Sequence, residues 1–104
     1  MADFKHISVA DTAKHLAAGT AQICDIRDDT SYRSGHIADS FQLNNQSMAQ
    51  LLDEIDFDRP VIVVCYHGHS SQGAAQYLAQ QGFEEVYSMD GGFEQWSHEQ
   101  PSVT

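Results

Sequence analysis

The chain has 104 residues, 41% hydrophobic and 19% charged, a length and make-up that fit one globular domain and argue against a long disordered segment. Fifteen acidic residues against five Lys and Arg give a formal net charge of −10, and no two of those cations adjoin, so the basic stripe used to bind nucleic acid or anionic lipid is missing. No run reaches the roughly 18 apolar residues that cross a bilayer, the first residues lack the basic-then-apolar order of a secretion signal, and two cysteines are too few for a disulfide framework, which together predict a cytoplasmic protein with free thiols.

In chain order, a short strand is expected over 6–8 and a helix over 9–18, capped by Ser8 or Asp11. Val9, Ala13, Leu16 and Ala17 form its apolar stripe, and Gly19 stops it. A strand follows over 21–26, bounded by the acidic turn at Asp28 and Asp29, then a short helix over 30–34 ending near Gly35. Residues 36–43 read as an irregular strand. Met48, Leu51, Leu52 and Ile55 fall at helical spacing within 47–55, with Asn45 or Ser47 as the cap. Asp58, Arg59 and Pro60 turn the chain into Val61, Ile62, Val63 and Val64, β-branched and apolar on both faces, which suits a central parallel strand. A helix is expected over 71–81, ended by Gly82, then a strand over 85–89, a turn at 90–92, a helix over 93–99, and a frayed end from Pro101. Strands alternating with helices imply a mostly parallel sheet covered on both faces, with the strand-end loops gathered on one edge.

The loop after the most apolar strand, Cys65-Tyr66-His67-Gly68-His69-Ser70, sits where open α/β sheets place their sites and runs directly into a helix. Backbone N–H groups of such a loop, with the positive end of the helix, make a nest for an anion. The same field stabilises a cysteine thiolate. Gly68 permits an unusual backbone conformation, while Ser70 and Ser71 supply hydroxyl donors and can cap the helix. This is the chemistry of a nucleophilic sulfur whose charge is held by amides. A Cys-x5-Arg phosphatase would need arginine at position 71, where this chain has Ser71. Transfer of a sulfane sulfur from a small oxyanion donor fits better.

At this point the chain resembles the rhodanese family, in its single-domain form. The resemblance runs over nearly the whole chain: Asp25-Ile26-Arg27 leading to Tyr32, Gly35-His36-Ile37, the six-residue loop from Cys65 to Ser70, and Gly91-Gly92-Phe93-Glu94-Gln95-Trp96. It implies one rhodanese domain over 1–104, of the three-layer α/β class, with a five-stranded parallel sheet between helices. It implies thiosulfate as donor, a persulfide on Cys65, and cyanide or a thioredoxin-like dithiol as acceptor, with no metal or organic cofactor. Many rhodaneses carry a cationic side chain in the loop. None of Tyr66, His67, Gly68, His69 and Ser70 is Lys or Arg, so substrate affinity is expected to be weak and turnover at low thiosulfate to vary with the charge on His67 or His69. A carrier loaded only by a protein donor would share the loop chemistry, whereas a third class, a cysteine phosphatase, is opposed by the missing arginine.

Supporting residues have plainer expected roles. Arg27 pairs with a carboxylate to tie loops together, Asp25 is an acceptor that fixes its loop, and His36 belongs to the scaffold near the site. Cys24, inside a strand, is expected to be a buried small apolar side chain, the alternative being a resolving thiol for Cys65. Gly91 and Gly92 read as turn glycines, with Phe93 and Trp96 on the buried face of the last helix. His67 and His69 are close, but the spacing indicates no third metal ligand.

Overall fold

A computed structural model of the chain describes residues 3–104. In chain order the elements are β1 (Lys5–Ile7), α1 (Val9–Ala18), β2 (Gln22–Asp25), α2 (Asp29–Ser34), β3 (Phe41–Gln42), α3 (Met48–Glu54), β4 (Val61–Val64), α4 (Ser70–Gln81), β5 (Val86–Met89) and α5 (Gly92–Glu99). The strands form one sheet in the order β1-β5-β4-β2-β3, parallel throughout, with Cys24 beside Val63 and Val63 beside Ser88.

Alternation along β4 explains its composition. Val61 and Val63 enter one apolar cluster with Leu51, Ala75, Leu78, Ala79 and Val86, under α3 and α4. Ile62 and Val64 enter the opposite cluster with Val9, Ile23, Ile37, Met89 and Trp96, under α1 and α5. All four residues of β4 are fully buried, so the strand needs no polar face.

Two expected elements change. Only Phe41 and Gln42 of the segment 36–43 pair as a strand, beside Cys24 and Asp25. Asp39 takes a left-handed φ of 62°, Ser40 N–H donates to Ile37, and Ile37 turns into the core, which ends any extended run there. The chain end is not frayed. The Trp96 indole N–H donates to the Pro101 carbonyl at 3.1 Å, and His36 and Val103 exchange both backbone hydrogen bonds as an antiparallel bridge.

The topology locates the site. After β2 the chain steps outward to β3, whereas after β4 it steps the other way to β5. The order therefore reverses between β2 and β4, and the crevice at their carboxyl ends is where α/β sheets bind ligands. The residues flanking that crevice are Asp25 to Arg27 on one side and the Cys65 loop on the other.

Candidate active site

Cys65 follows the last residue of β4 and is 5% exposed. Its sulfur is surrounded by donors. The Gly68 N–H points at Sγ at 3.0 Å, and the Ser71 hydroxyl lies 3.3 Å from it. Burial pushes the thiol pKa up, but hydrogen bonds from the Ser71 hydroxyl and from the backbone N–H groups of Ser71, Gly68 and His67 outweigh it, leaving the pKa below its ordinary value of 9.0. Ser71 is the second residue of α4, so the positive end of a twelve-residue helix faces the same sulfur.

The amides converge for a reason supplied by α5. Phe93 N–H donates to the Cys65 carbonyl at 2.8 Å and Glu94 N–H to the Tyr66 carbonyl at 3.0 Å. In a trans peptide the C=O and the next N–H point in opposite directions. Anchoring those two carbonyls on α5 therefore turns the Tyr66 and His67 N–H groups away from α5, and His67 N–H toward the sulfur. The contact demands glycine. A Cβ on Gly92 would lie 2.4 Å from the Tyr66 oxygen and 2.7 Å from the Cys65 oxygen, and one on Gly68, at φ +91°, would lie 3.0 Å from the Gly91 nitrogen. Gly92 thus does more than make a turn: it lets α5 seat its first amides on the cysteine loop, while a Cβ on Gly91 would run into the Gln95 side chain. The sequence signal was the glycine pair itself, which does not reveal what approaches it.

The expected caps of α4 are not made. The helix starts one residue earlier than the sequence suggested, at Ser70, with His69 at the capping position and no side-chain cap. Ser71 turns its hydroxyl to Cys65 and to Ser88 Oγ, 2.7 Å away, and Ser71 and Ser88 are both fully buried. Ser88, in the middle of β5, carries no sequence signal, because a lone serine in an apolar strand belongs to no motif.

Tyr66 is 49% exposed at the rim and packs edge-on against the His67 ring. The exposed His67 ring faces Glu94 at 3.5 Å, and His69 is exposed at the start of α4. Beside Tyr66 a groove of about 450 Å³ runs between α2 and α5, lined by Arg27, Ser31, Gly35, Phe93, Glu94 and Ser97 among others.

Asp25 and Arg27 form a buried bidentate pair. The Arg27 side chain donates to both Asp25 oxygens at 2.8–3.1 Å, the Arg27 backbone N–H also reaches Asp25, and Nη2 donates to the Gly35 carbonyl at 2.7 Å. The guanidinium lies 3.9 Å above the Phe93 ring. It thus ties the end of β2, the end of α2 and the start of α5 together. His36 stacks flat on Tyr32 at 3.9 Å, donates from Nδ1 to the Tyr32 carbonyl and pairs with Val103; these partners belong to the α2 scaffold rather than to the cysteine loop. Cys24 is fully buried in the α3–α4 cluster, where burial and then the neighbouring Asp25 charge push its thiol up to about 12, and both cysteines are free.

The rhodanese-like domain family matches residues 8–99. The chain is 54% identical over 96 residues to the thiosulfate sulfurtransferase GlpE of Shewanella oneidensis, covering 92% of this chain and 95% of that one. It is 57% identical over 93 residues to the enzyme of the same name from Pseudoalteromonas translucida, covering 89% of each. Among solved structures, a rhodanese-related protein from Thermoplasma volcanium superposes with a TM-score of 0.80 at 25% identity, over 96% of this chain and 98% of that one. A protein from Anabaena gives 0.83 at 22% identity, over 93% and 81%, and bears on the fold alone.

Proposed function

The chain belongs to the rhodanese-like family, and from that membership we propose that it is a thiosulfate sulfurtransferase in which Cys65 carries the sulfur. The observation that carries this reading is the convergence on one sulfur of the Gly68 amide and the Ser71 hydroxyl, with α5 fixing the loop that presents them. The relatives at more than half identity bear the same enzyme name.

The Cys65 thiolate attacks the outer sulfur of thiosulfate. A new S–S bond forms, the old one breaks, and sulfite leaves with the electron pair. Cys65 is then a persulfide. Charge arriving with the donor and remaining on the persulfide is met by the N–H groups of His67, Gly68 and Ser71, oriented before the substrate binds. Cyanide attacks the terminal sulfur, leaves as thiocyanate and returns the thiolate. With a thioredoxin-like dithiol, one thiol takes the sulfur and the second closes a disulfide, releasing hydrosulfide. Tyr66, His69 and Ser70 complete the loop, while Asp25, Arg27 and His36 hold its surroundings. The chemistry asks nothing of a metal or organic cofactor. Two free cysteines and the need for a reduced Cys65 support a cytoplasmic setting, and among the described residues no helix is long and apolar enough to cross a membrane.

Intact-mass measurement after thiosulfate addition tests the reading. One sulfur atom is expected to appear, to be removed by cyanide, and to be absent from Cys65→Ser. A chain that takes up sulfur only from a protein donor would be a carrier, and the enzyme reading would fail.

A further inference from the structure

Ser88 stands out because β5 has no apparent use for it. Its neighbours Val86 and Met89 are buried and apolar, and burying a hydroxyl without a partner is unfavourable. Alanine or valine would occupy the position without that cost. The hydroxyl meets Ser71 Oγ at 2.7 Å, and Ser71 meets the Cys65 sulfur at 3.3 Å, so two buried hydroxyls form a chain that ends on the reactive atom.

Proton counting gives the chain a direction. An ionised sulfur accepts only, so the one Ser71 hydroxyl proton has to point at Sγ. The short Ser71–Ser88 hydrogen bond is then made by the Ser88 proton. The opposite direction spends the Ser71 proton on Ser88 and withdraws the hydroxyl from the sulfur. A serine near the start of a helix has a further competing choice, the carbonyl one turn back. Filling the acceptor side of Ser71 from Ser88 favours donation to sulfur and strengthens it, because hydrogen bonds in a chain polarise one another.

We propose that Ser88 is a positioning residue for the reaction, its hydroxyl holding Ser71 in the orientation that donates to an anionic Cys65 sulfur. The proposal rests on the reading of Cys65 as the working thiolate. It ties β5, at the far side of the loop from the crevice, to the chemistry through one atom. When Cys65 is a neutral thiol, its S–H donates to Ser71; ionisation releases that proton to solvent and turns the Ser71 hydroxyl toward the sulfur.

The test measures the rate of Cys65 alkylation by iodoacetamide across pH, read by mass, in the wild type, Ser88→Ala, Ser71→Ala and the double variant. His67, His69, Glu94 and the Asp25–Arg27 pair lie on the elements around the sulfur and are present in every variant, so they act equally on all profiles. Ser88→Ala is expected to move the profile to higher pH, slowing alkylation about two- to tenfold below the midpoint. The double variant is expected to match Ser71→Ala, since Ser88 acts only through Ser71. An unchanged profile in Ser88→Ala overturns the proposal, as does a double variant slower than Ser71→Ala. Absence of sulfur uptake by the wild type would defeat the sulfurtransferase reading while leaving these profiles to be judged on their own.

Discussion

Gly92→Ala tests whether α5 builds the sulfur site or merely adjoins it. Two costs fall on this substitution. The residue sits at φ +62°, where a side chain is strained by about 1–2 kcal/mol. Its Cβ would also stand 2.4 Å from the Tyr66 oxygen and 2.5 Å from the Tyr66 carbonyl carbon, backbone atoms that cannot swing aside. Relief requires the loop and α5 to part by roughly half an ångström or more, which weakens the Phe93 and Glu94 hydrogen bonds to the loop, each contributing about 1 kcal/mol. The total loss is about 3–4 kcal/mol, a large share of the roughly 5–15 kcal/mol that holds a domain of this size together. Gly19→Ala is the control. Its φ of +66° imposes the same strain, but nothing lies within 4 Å of the added methyl. Urea denaturation should therefore place Gly92→Ala about 2 kcal/mol below Gly19→Ala. Thiosulfate:cyanide transfer should fall about 100-fold in the first, in line with a displacement of up to an ångström at a reacting group, and hold steady in the second. Equal stability and equal activity in the two variants would refute the claim that α5 orients the amides.

Other expectations follow from the same geometry. Because the Cys65 thiol is held below 9.0, alkylation should rise with pH through a midpoint under that value; the native state binds fewer protons there, so Cys65 adds stability that is complete above 9.0 and disappears as pH falls through the lowered midpoint. Ser71→Ala should raise that midpoint, since burial stays and the strongest opposing hydrogen bond goes. Cys24, held up at about 12 and fully buried, should resist alkylation in the native state, and Cys24→Ser should lose about 1–3 kcal/mol in urea denaturation while still loading one sulfur by mass; failure to load would restore Cys24 as a resolving thiol. Arg27→Met should cost about 3–5 kcal/mol by leaving Asp25 buried and unpaired, and adding Asp25→Asn should recover part of that loss in the same assay.

What could be read from the sequence was local. The Val61 to Val64 run, buried on both faces, announces a central strand, and of the apolar side that the spacing predicts for the helix after the cysteine loop (Ala74, Ala75, Leu78 and Ala79) all but the half-buried Ala74 are buried. Ser8 caps α1 through Asp11 N–H, one of the two caps the sequence allowed. The cysteine loop is legible because its chemistry lies in consecutive residues. What escaped the sequence depends on partners distant in the chain. The segment 36–43 loses its strand to a left-handed Asp39 and to a bridge with Val103. Ser47 occupies the capping position of α3 but sends its hydroxyl to the Gln42 carbonyl. Ser88 reaches Ser71, and through it the sulfur, only because β5 lies beside β4.

The sheet order has a bearing on how the chain is made. Translation delivers Lys5–Ile7 before the other four strands, yet that strand pairs only with Val86–Met89, the last of the five. On the ribosome it waits unpartnered until β5 has emerged, and β4 likewise lacks one neighbour until then. Long-range pairing of this kind is slow. The nascent protein therefore completes both faces of its hydrophobic interior only late, and a stalled or truncated product ending before β5 would expose the open edge of β4, an apolar strand suited to pairing with another unfinished copy.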